Sequence, residues 1–211
     1  MLAVLLGAAF GALTSLVNAA SSHAASPCGG SVLRVLSMAV DSGWAWAGLA
    51  VALGALSATR TGTGRTQDSR DSRGSTPPAT RARSAAALAG ALGLLAATTA
   101  YYALDALLGA GPFTDPEATG WWMASALLGP VLGLIGAGWW RTDLLGLLTR
   151  LTLPLGAGLQ MLVLSPVEGP QVPVEAHVAR WLVLLAATAG TAVLLVRHLR
   201  ARRLRVSAPA A

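Results

Sequence analysis

The chain has 211 residues, of which 54% are hydrophobic and only 11% charged, whereas about a quarter of the residues in an average soluble domain are charged. Its net charge of +6 is the balance of fifteen arginines against nine acidic residues. These flank apolar runs instead of covering a soluble face with aromatic residues between them, which argues against a nucleic-acid-binding protein and for a membrane protein.

Six apolar segments of about twenty residues fill most of the chain, each long enough to cross the hydrocarbon core of a bilayer as a helix. Backbone polar groups in lipid must be paired internally, and a long helix achieves this segment by segment. The predicted fold is therefore all-α, a polytopic transmembrane helical bundle. Its six spans are placed at about residues 2–20, 38–58, 85–108, 121–140, 144–164 and 177–197.

The segments outside the spans set the orientation. Residues 59–84 are rich in Ser, Thr, Gly, Pro and Arg and carry too few apolar residues to fold, so they predict a disordered loop. The loop separates spans 1 and 2 (residues 1–58) from spans 3 to 6 (85–198), and a basic tail (199–211) follows. Because cytoplasmic segments carry an excess of arginine, we expect the loop and both termini in the cytoplasm. The expected location is the cell membrane, a bacterial inner membrane.

The first span has an alternative interpretation as a cleaved signal peptide. Small residues near positions 19–25 suit a cleavage site. However, no basic residue precedes the apolar run, and the run is longer than the core of a typical signal peptide. Cleavage would leave five spans, so we keep the six-span prediction.

Small and short polar residues share one face of the first span. Residues three and four positions apart lie on the same side of a helix, and small side chains there let a second backbone approach closely. This face predicts either packing within the bundle or docking of a partner subunit. It consists of Gly7, Gly11, Ser15 and Asn18, with Ala8 and Ala12 beside them.

Polar residues inside the predicted spans concentrate in the halves nearest the external loops. Each charge at membrane depth is costly unless it is paired, so such residues have a specific reason to be there. On the second span Trp44 shares the face of Asp41, with Trp46 nearly opposite. The cluster consists of Asp41, Trp44, Tyr101, Asp105, Gln160 and Arg180, together with Arg34 shortly before the second span.

Two hypotheses account for this cluster. In the first, internal ion pairs such as Arg34 with Asp41 and Arg180 with Asp105 fix the helix register. In the second, the cluster is a solvent-open pocket for a polar or cationic ligand. The second hypothesis makes Asp41 and Asp105 the charged ligand contacts and places three further residues around them, namely Trp44, Tyr101 and Gln160.

Aromatic and proline residues mark the fourth and fifth spans. Tryptophan pairs at both ends of the fourth span are typical of the interfacial belt: Trp121 with Trp122, and Trp139 with Trp140. Pro130 and Pro154 predict kinks, and broken helices of this kind line transport sites.

No enzyme motif occurs in the sequence, which carries neither a zinc-protease His-Glu-x-x-His nor a Gly-x-Ser-x-Gly nor a phosphate loop. Cys28 is the single cysteine, and the three histidines are far apart. The sequence therefore predicts no catalytic residue, no metal site and no cofactor.

Four motifs carry a resemblance to an uncharacterised bacterial family of small six-span membrane proteins. They lie at residues 11–19, 41–48 (Asp-Ser-Gly-Trp-Ala-Trp-Ala-Gly), 99–105 and 129–133. The resemblance covers nearly the whole chain except the arginine-rich loop and the tail. It implies the fold and the membrane location, and no activity.

A looser architectural resemblance is to the substrate-binding subunits of energy-coupling-factor vitamin transporters. These six-helix proteins carry a small-residue stripe on the first helix, like that of Gly7, Ala8, Gly11 and Ala12 here. The resemblance implies that the stripe docks a membrane coupling subunit and that a ligand binds near the external face.

The sequence thus predicts a small-solute binding or transport component with an outward-facing polar site. The alternative is a non-transporting scaffold or accessory protein. Its basic loop and tail would bind anionic lipid headgroups or a partner protein.

Overall fold

The computed structural model describes residues 1–23, 27–63, 78–164 and 173–206, and these ranges contain helices but no strand. The all-α prediction is confirmed. The helices are α1 (Leu2–His23), α2 (Pro27–Val40), α3 (Gly43–Thr63), α4 (Pro78–Leu107), α5 (Pro116–Ala137), α6 (Leu144–Leu159) and α7 (Val174–Val206), and a π-helical turn (Gln160–Leu164) extends α6. The chain forms two compact units, Met1–Gly138 and Trp139–Ala211.

Within the described ranges, five helices are long and apolar enough to cross a membrane: Leu2–Ser22, Thr80–Leu107, Pro116–Ala137, Leu144–Val163 and Val174–Arg203. The bent pair Ser31–Val40 and Gly43–Arg60 gives a sixth span if it crosses as one. These helices indicate a multi-pass membrane protein. The orientation of its termini stays a prediction.

The second predicted span differs from the structure, because it is two helices that meet at an angle of 54°. The break falls at Asp41 and Ser42, whose short polar side chains compete with the helical backbone for hydrogen bonds. The Ser42 hydroxyl donates to the carbonyl oxygen of Ala39 at 2.6 Å, which satisfies one of the acceptors left at the end of α2.

Glycine contacts hold α4 against its neighbours in the first unit. A Cβ atom at Gly7 would overlap the carbonyl oxygen of Gly93, and one at Gly11 would overlap the carbonyl oxygen of Ala97. The backbones of α1 and α4 therefore touch. A Cβ atom at Gly133 of α5 would likewise overlap the carbonyl oxygen of Ala86. Without a hydrophobic driving force between helices in lipid, this close backbone packing is the main source of association.

Large apolar side chains lie on the outside of the helices. Leu127 is 69% exposed and Leu185 64%, while Ala50, Ala86 and Ala97 are fully buried. This distribution is the inverse of a soluble protein and suits a bundle whose solvent is lipid.

The second unit is an antiparallel helical hairpin, because Gly158 of α6 lies against Ala187 of α7 while the earlier Pro154 lies against the later Gly190.

A compact turn precedes α6. Asp143 caps the helix by accepting a hydrogen bond from the amide of Gly146 at 3.0 Å. Arg150 donates to two carbonyl oxygens of the same turn, those of Trp139 (2.7 Å) and Arg141 (2.6 Å).

The helices extend into both segments that we predicted as loop or tail. Within residues 59–84, α3 continues to Thr63 and α4 begins at Pro78, while residues 64–77 lie outside the described ranges. Similarly, α7 continues through the predicted tail to Val206, and residues 207–211 lie outside the described ranges. The prediction missed these turns because it weighed hydropathy alone, whereas Ala, Arg and Leu favour helix also outside a membrane.

Candidate ligand-binding site

Asn18 is the centre of a side-chain network that joins three helices of the first unit. Its amide nitrogen Nδ2 donates to Oδ2 of Asp41 and to the hydroxyl of Tyr101, both at 3.0 Å. Its amide oxygen accepts a hydrogen bond from the hydroxyl of Ser37. One α1 side chain thus ties the end of α2, the α2–α3 break and the last turns of α4 together, with donors and acceptors matched.

A second pair of hydrogen bonds continues this polar layer. The hydroxyl of Ser15, which is fully buried on α1, donates to Oδ1 of Asp105 on α4 at 2.5 Å. The hydroxyls of Thr98 on α4 and Ser125 on α5 lie 2.9 Å apart and are both buried. These bonds supply partners for polar groups that would otherwise be costly at membrane depth.

Aromatic rings form a continuous row beside the network. The ring of Trp46 lies edge-on to those of Phe10 (5.5 Å between centroids) and Tyr101 (5.9 Å), and it lies nearly parallel to Trp121 at 6.4 Å. Tyr101 contacts Tyr102 at 5.2 Å. These separations fall in the range in which aromatic pairs attract each other, so the row is a rigid wall.

The network and the aromatic row enclose a cavity of about 190 Å³. This is below the roughly 300–1,000 Å³ of pockets for drug-sized molecules and equals the liquid volume of roughly six waters at about 30 Å³ each. The cavity is therefore sized for a small solute. Its lining consists of Asp41, Trp46, Thr98, Tyr101, Tyr102, Glu117 and Trp121.

The lining is acidic. Asp41 and Glu117 contribute two carboxylates, four of the other lining residues are aromatic, and none of the described lining residues is basic. Carboxylates and the faces of aromatic rings both attract cations. Within the described ranges, no three His, Cys, Asp or Glu side chains are placed to hold a metal ion. The lining thus presents both kinds of cation-attracting group to one small cavity.

Asp41 and Tyr101 of the predicted ligand contacts are brought together at the cavity, but Trp44 is replaced by Trp46. We expected Trp46 to lie nearly opposite Asp41, on the assumption of one continuous helix over residues 38–58. The break at Asp41 and Ser42 changes the direction of the chain, so helical phase counted from Asp41 does not carry over into α3. Trp44 is half-buried.

Asp105 lies next to the site and is not one of its lining residues. Its carboxylate accepts the hydrogen bond from Ser15. In the ion-pair hypothesis it was the partner of Arg180. That arginine is half-buried on α7, in the second unit, where Gln160 also begins the π-helical turn.

Arg34 is exposed on α2. We predicted that Arg34 forms an ion pair with Asp41. The carboxylate of Asp41 accepts a hydrogen bond of 3.0 Å from the neutral amide of Asn18. The Asn18 amide thus supplies one hydrogen-bond partner of this carboxylate, and the ion pair of Arg34 with Asp41 stays a prediction.

The residues of the small-residue stripe of α1 differ in burial. Gly7 and Gly11 are buried against α4. Ala8 and Ala12 are half-buried beside them. Docking of a partner subunit to this stripe stays a prediction.

Besides Trp46, sequence reasoning missed Asn18, Glu117 and Trp121 as residues of the site. Asn18 was assigned to the packing stripe, Glu117 to an external loop and Trp121 to the interfacial belt. The sequence feature that could have revealed the network is Asn18, because an amide side chain inside an apolar helix needs hydrogen-bond partners on a neighbouring helix.

No protein-family model, no curated protein and no solved structure matches this chain. The two family resemblances therefore stay predictions. What the fold and the site define is a class, a multi-pass helical membrane protein with an acidic, aromatic-lined cavity in its first unit.

Proposed function

We propose that the protein binds a small organic cation, as the binding component of a solute transport or sensing system, in the cavity lined by Asp41, Glu117 and four aromatic residues. The observation that carries the proposal is the composition of that lining, with two carboxylates, four rings and no basic side chain among the described residues. A protonated or quaternary amine satisfies both kinds of group at once.

The Asn18 network supports the proposal, because it holds the recognition groups in place before a ligand arrives. Asp41 and Tyr101 are held by the same amide, each at 3.0 Å. Side chains fixed in this way lose little conformational freedom on binding, which favours affinity.

The expected topology supports an outward-facing site. With the arginine-rich loop and tail in the cytoplasm, the α2–α3 break, the end of α4 and the start of α5 all lie on the external side. Asp41, Tyr101 and Glu117 come from these three places. A solute therefore reaches the cavity from outside the cell.

Isothermal titration calorimetry of the full chain in mild detergent tests the proposal. Choline is the probe, and its neutral isostere 3,3-dimethyl-1-butanol, in which carbon replaces the quaternary nitrogen, is the matched control. We expect saturable binding of choline and none of the alcohol at the same concentration. Equal binding of both, or binding of neither choline nor tetramethylammonium at millimolar concentration, would overturn the proposal.

A further inference from the structure

An apolar groove of about 500 Å³ runs along the hairpin of α6 and α7 in the second unit. On α6 it is lined by Pro154 and Gly158 among others, and on α7 by Leu184, Thr188, Thr191 and Leu195. Both threonines sit in an otherwise apolar lining, and the Thr188 hydroxyl is satisfied by the carbonyl oxygen of Leu184 at 2.8 Å. The groove therefore offers an apolar surface.

The length of the groove matches a lipid chain. From Leu184 to Leu195 the lining covers eleven helical steps, or about 16 Å at roughly 1.5 Å per residue. Half the hydrocarbon thickness of a bilayer is about 15 Å. One acyl chain of one leaflet thus fills the groove from end to end.

The groove-lining face of α7 ends in an arginine and a histidine. Arg202 follows Leu184 by eighteen residues, which is five full turns at about 3.6 residues per turn, so it lies on the same face. His198 lies on this face as well, three residues after Leu195, and is half-buried. Arg200 follows Leu184 by sixteen residues and therefore lies on the opposite face.

The α6 side of the same end also carries a positive charge. Arg150 lies one helical turn before Pro154, and in an antiparallel hairpin that turn is at the arginine-rich end of α7. Its guanidinium is fixed by the carbonyl oxygens of Trp139 and Arg141. A negatively charged headgroup at this end is therefore close to cationic groups of both helices.

We propose that the α6–α7 groove is a binding site for one anionic phospholipid, with an acyl chain along the groove and the headgroup phosphate at Arg202 and His198. The apolar lining and its length select a lipid chain, and the arginine at the end of the same face selects a negative headgroup. The site is in the second unit and is independent of the cation cavity.

Native mass spectrometry of the full chain, titrated in detergent with phosphatidylglycerol or with phosphatidylcholine of identical acyl chains, tests this site. We expect one phosphatidylglycerol to bind roughly fivefold more tightly than phosphatidylcholine, the effect of about one arginine near a headgroup. Arg202→Gln removes this preference. Arg200→Gln, the same charge change on the opposite face, retains it.

A second pair of variants tests the groove itself. Ala192→Phe introduces a ring into the lining, and Ala189→Phe introduces the same ring on the opposite face of α7, where both alanines are exposed. We expect Ala192→Phe to weaken both lipids several-fold and Ala189→Phe to weaken neither. Equal effects of Arg200→Gln and Arg202→Gln would show a diffuse attraction, and a lipid-free dimer that Ala192→Phe dissociates would assign the groove to a second copy. Either result would overturn the proposal.

Discussion

The amide nitrogen of Asn18 lies 3.0 Å from the carboxylate of Asp41, so the first helix positions the acidic residue that sits at the break between α2 and α3. Burying either polar side chain alone in the bilayer costs free energy, and pairing the two lowers that cost. It also fixes where the cavity places its negative charge.

Asp41→Asn should weaken choline binding by roughly tenfold or more, because opposite unit charges about 5 Å apart attract by roughly 3 kcal/mol at an effective dielectric constant of about 20. The substitution keeps the shape of the side chain. Asp105→Asn is the matched control, since Asp105 bonds to Ser15 and does not line the cavity. Calorimetry should show a smaller loss for it, and the reverse order would place the ligand at Asp105.

Asn18→Ala should destabilise the protein by about 1–3 kcal/mol, because it leaves Ser37, Asp41 and Tyr101 without a shared partner. The measurement is the midpoint of thermal unfolding in detergent. Ser22→Ala serves as control, since Ser22 is exposed on the same helix and donates to the carbonyl oxygen of Ala19. An unchanged midpoint for Asn18→Ala would mean that the network contributes nothing to stability.

Gly11→Ala should be strongly destabilising, since its methyl group would overlap the carbonyl oxygen of Ala97. Gly120→Ala is the same substitution on α5 at a position with no neighbouring atom within 4 Å. It should be neutral or stabilising by up to about 1 kcal/mol, because alanine favours helix over glycine. Similar thermal midpoints of the two variants would contradict the contact between α1 and α4.

The turn before α6 should lose stability in acid. Arg141 holds the pKa of Asp143 well below its ordinary value near 3.8 by hydrogen bonding to the carboxylate, and the Gly146 amide acts in the same direction. Because the pKa is lower in the folded chain, the contribution is complete above pH 3.8 and is lost as the pH falls below it. Amide hydrogen exchange of residues 139–150, corrected for intrinsic rates, should show this loss in the wild type and not in Asp143→Asn.

Replacing residues 64–77 with a Gly-Ser linker of equal length should leave choline affinity unchanged, since the described lining residues of the cavity are Asp41 and residues of α3, α4 and α5. The two predicted functions differ here. If the protein is instead a scaffold that acts through its basic loop, the unmodified chain does not bind choline, and replacing the loop abolishes binding of its partner. A loss of choline binding on replacement would tie the loop to the site.

The helices themselves were predictable because the bilayer demands apolar runs of about twenty residues, and a polar residue in such a run stands out. Asp41 and Tyr101 were found in this way. Trp46 was not, because a helical phase can be counted only along an unbroken helix, and the break at Ser42 has no hydropathy signature. Asn18 shares a face with Gly11, and the sequence does not distinguish a face that packs against another helix from one that holds a hydrogen-bond network.

The interpretation of the four tryptophans shows the same limit. A tryptophan of the interfacial belt and a tryptophan that lines the cavity lie at the same depth in the membrane, so the same hydropathy pattern fits both. Trp121 stacks on Trp46 at 6.4 Å, and this contact depends on how α3 and α5 cross α4. Only the three-dimensional packing separates the two roles.

The glycines of α1, α4 and α5 also restrict the paths by which the proposed solute could cross the first unit. Gly7 against Gly93, and Gly90 against Gly129, bring backbones into contact along the part of α4 that precedes Thr98, a residue of the cavity lining. Touching backbones leave no space for a solute between them. Under the proposed function, a solute in the cavity therefore passes between α1 and α4, or between α4 and α5, at these glycines only if one of the helices moves away from α4.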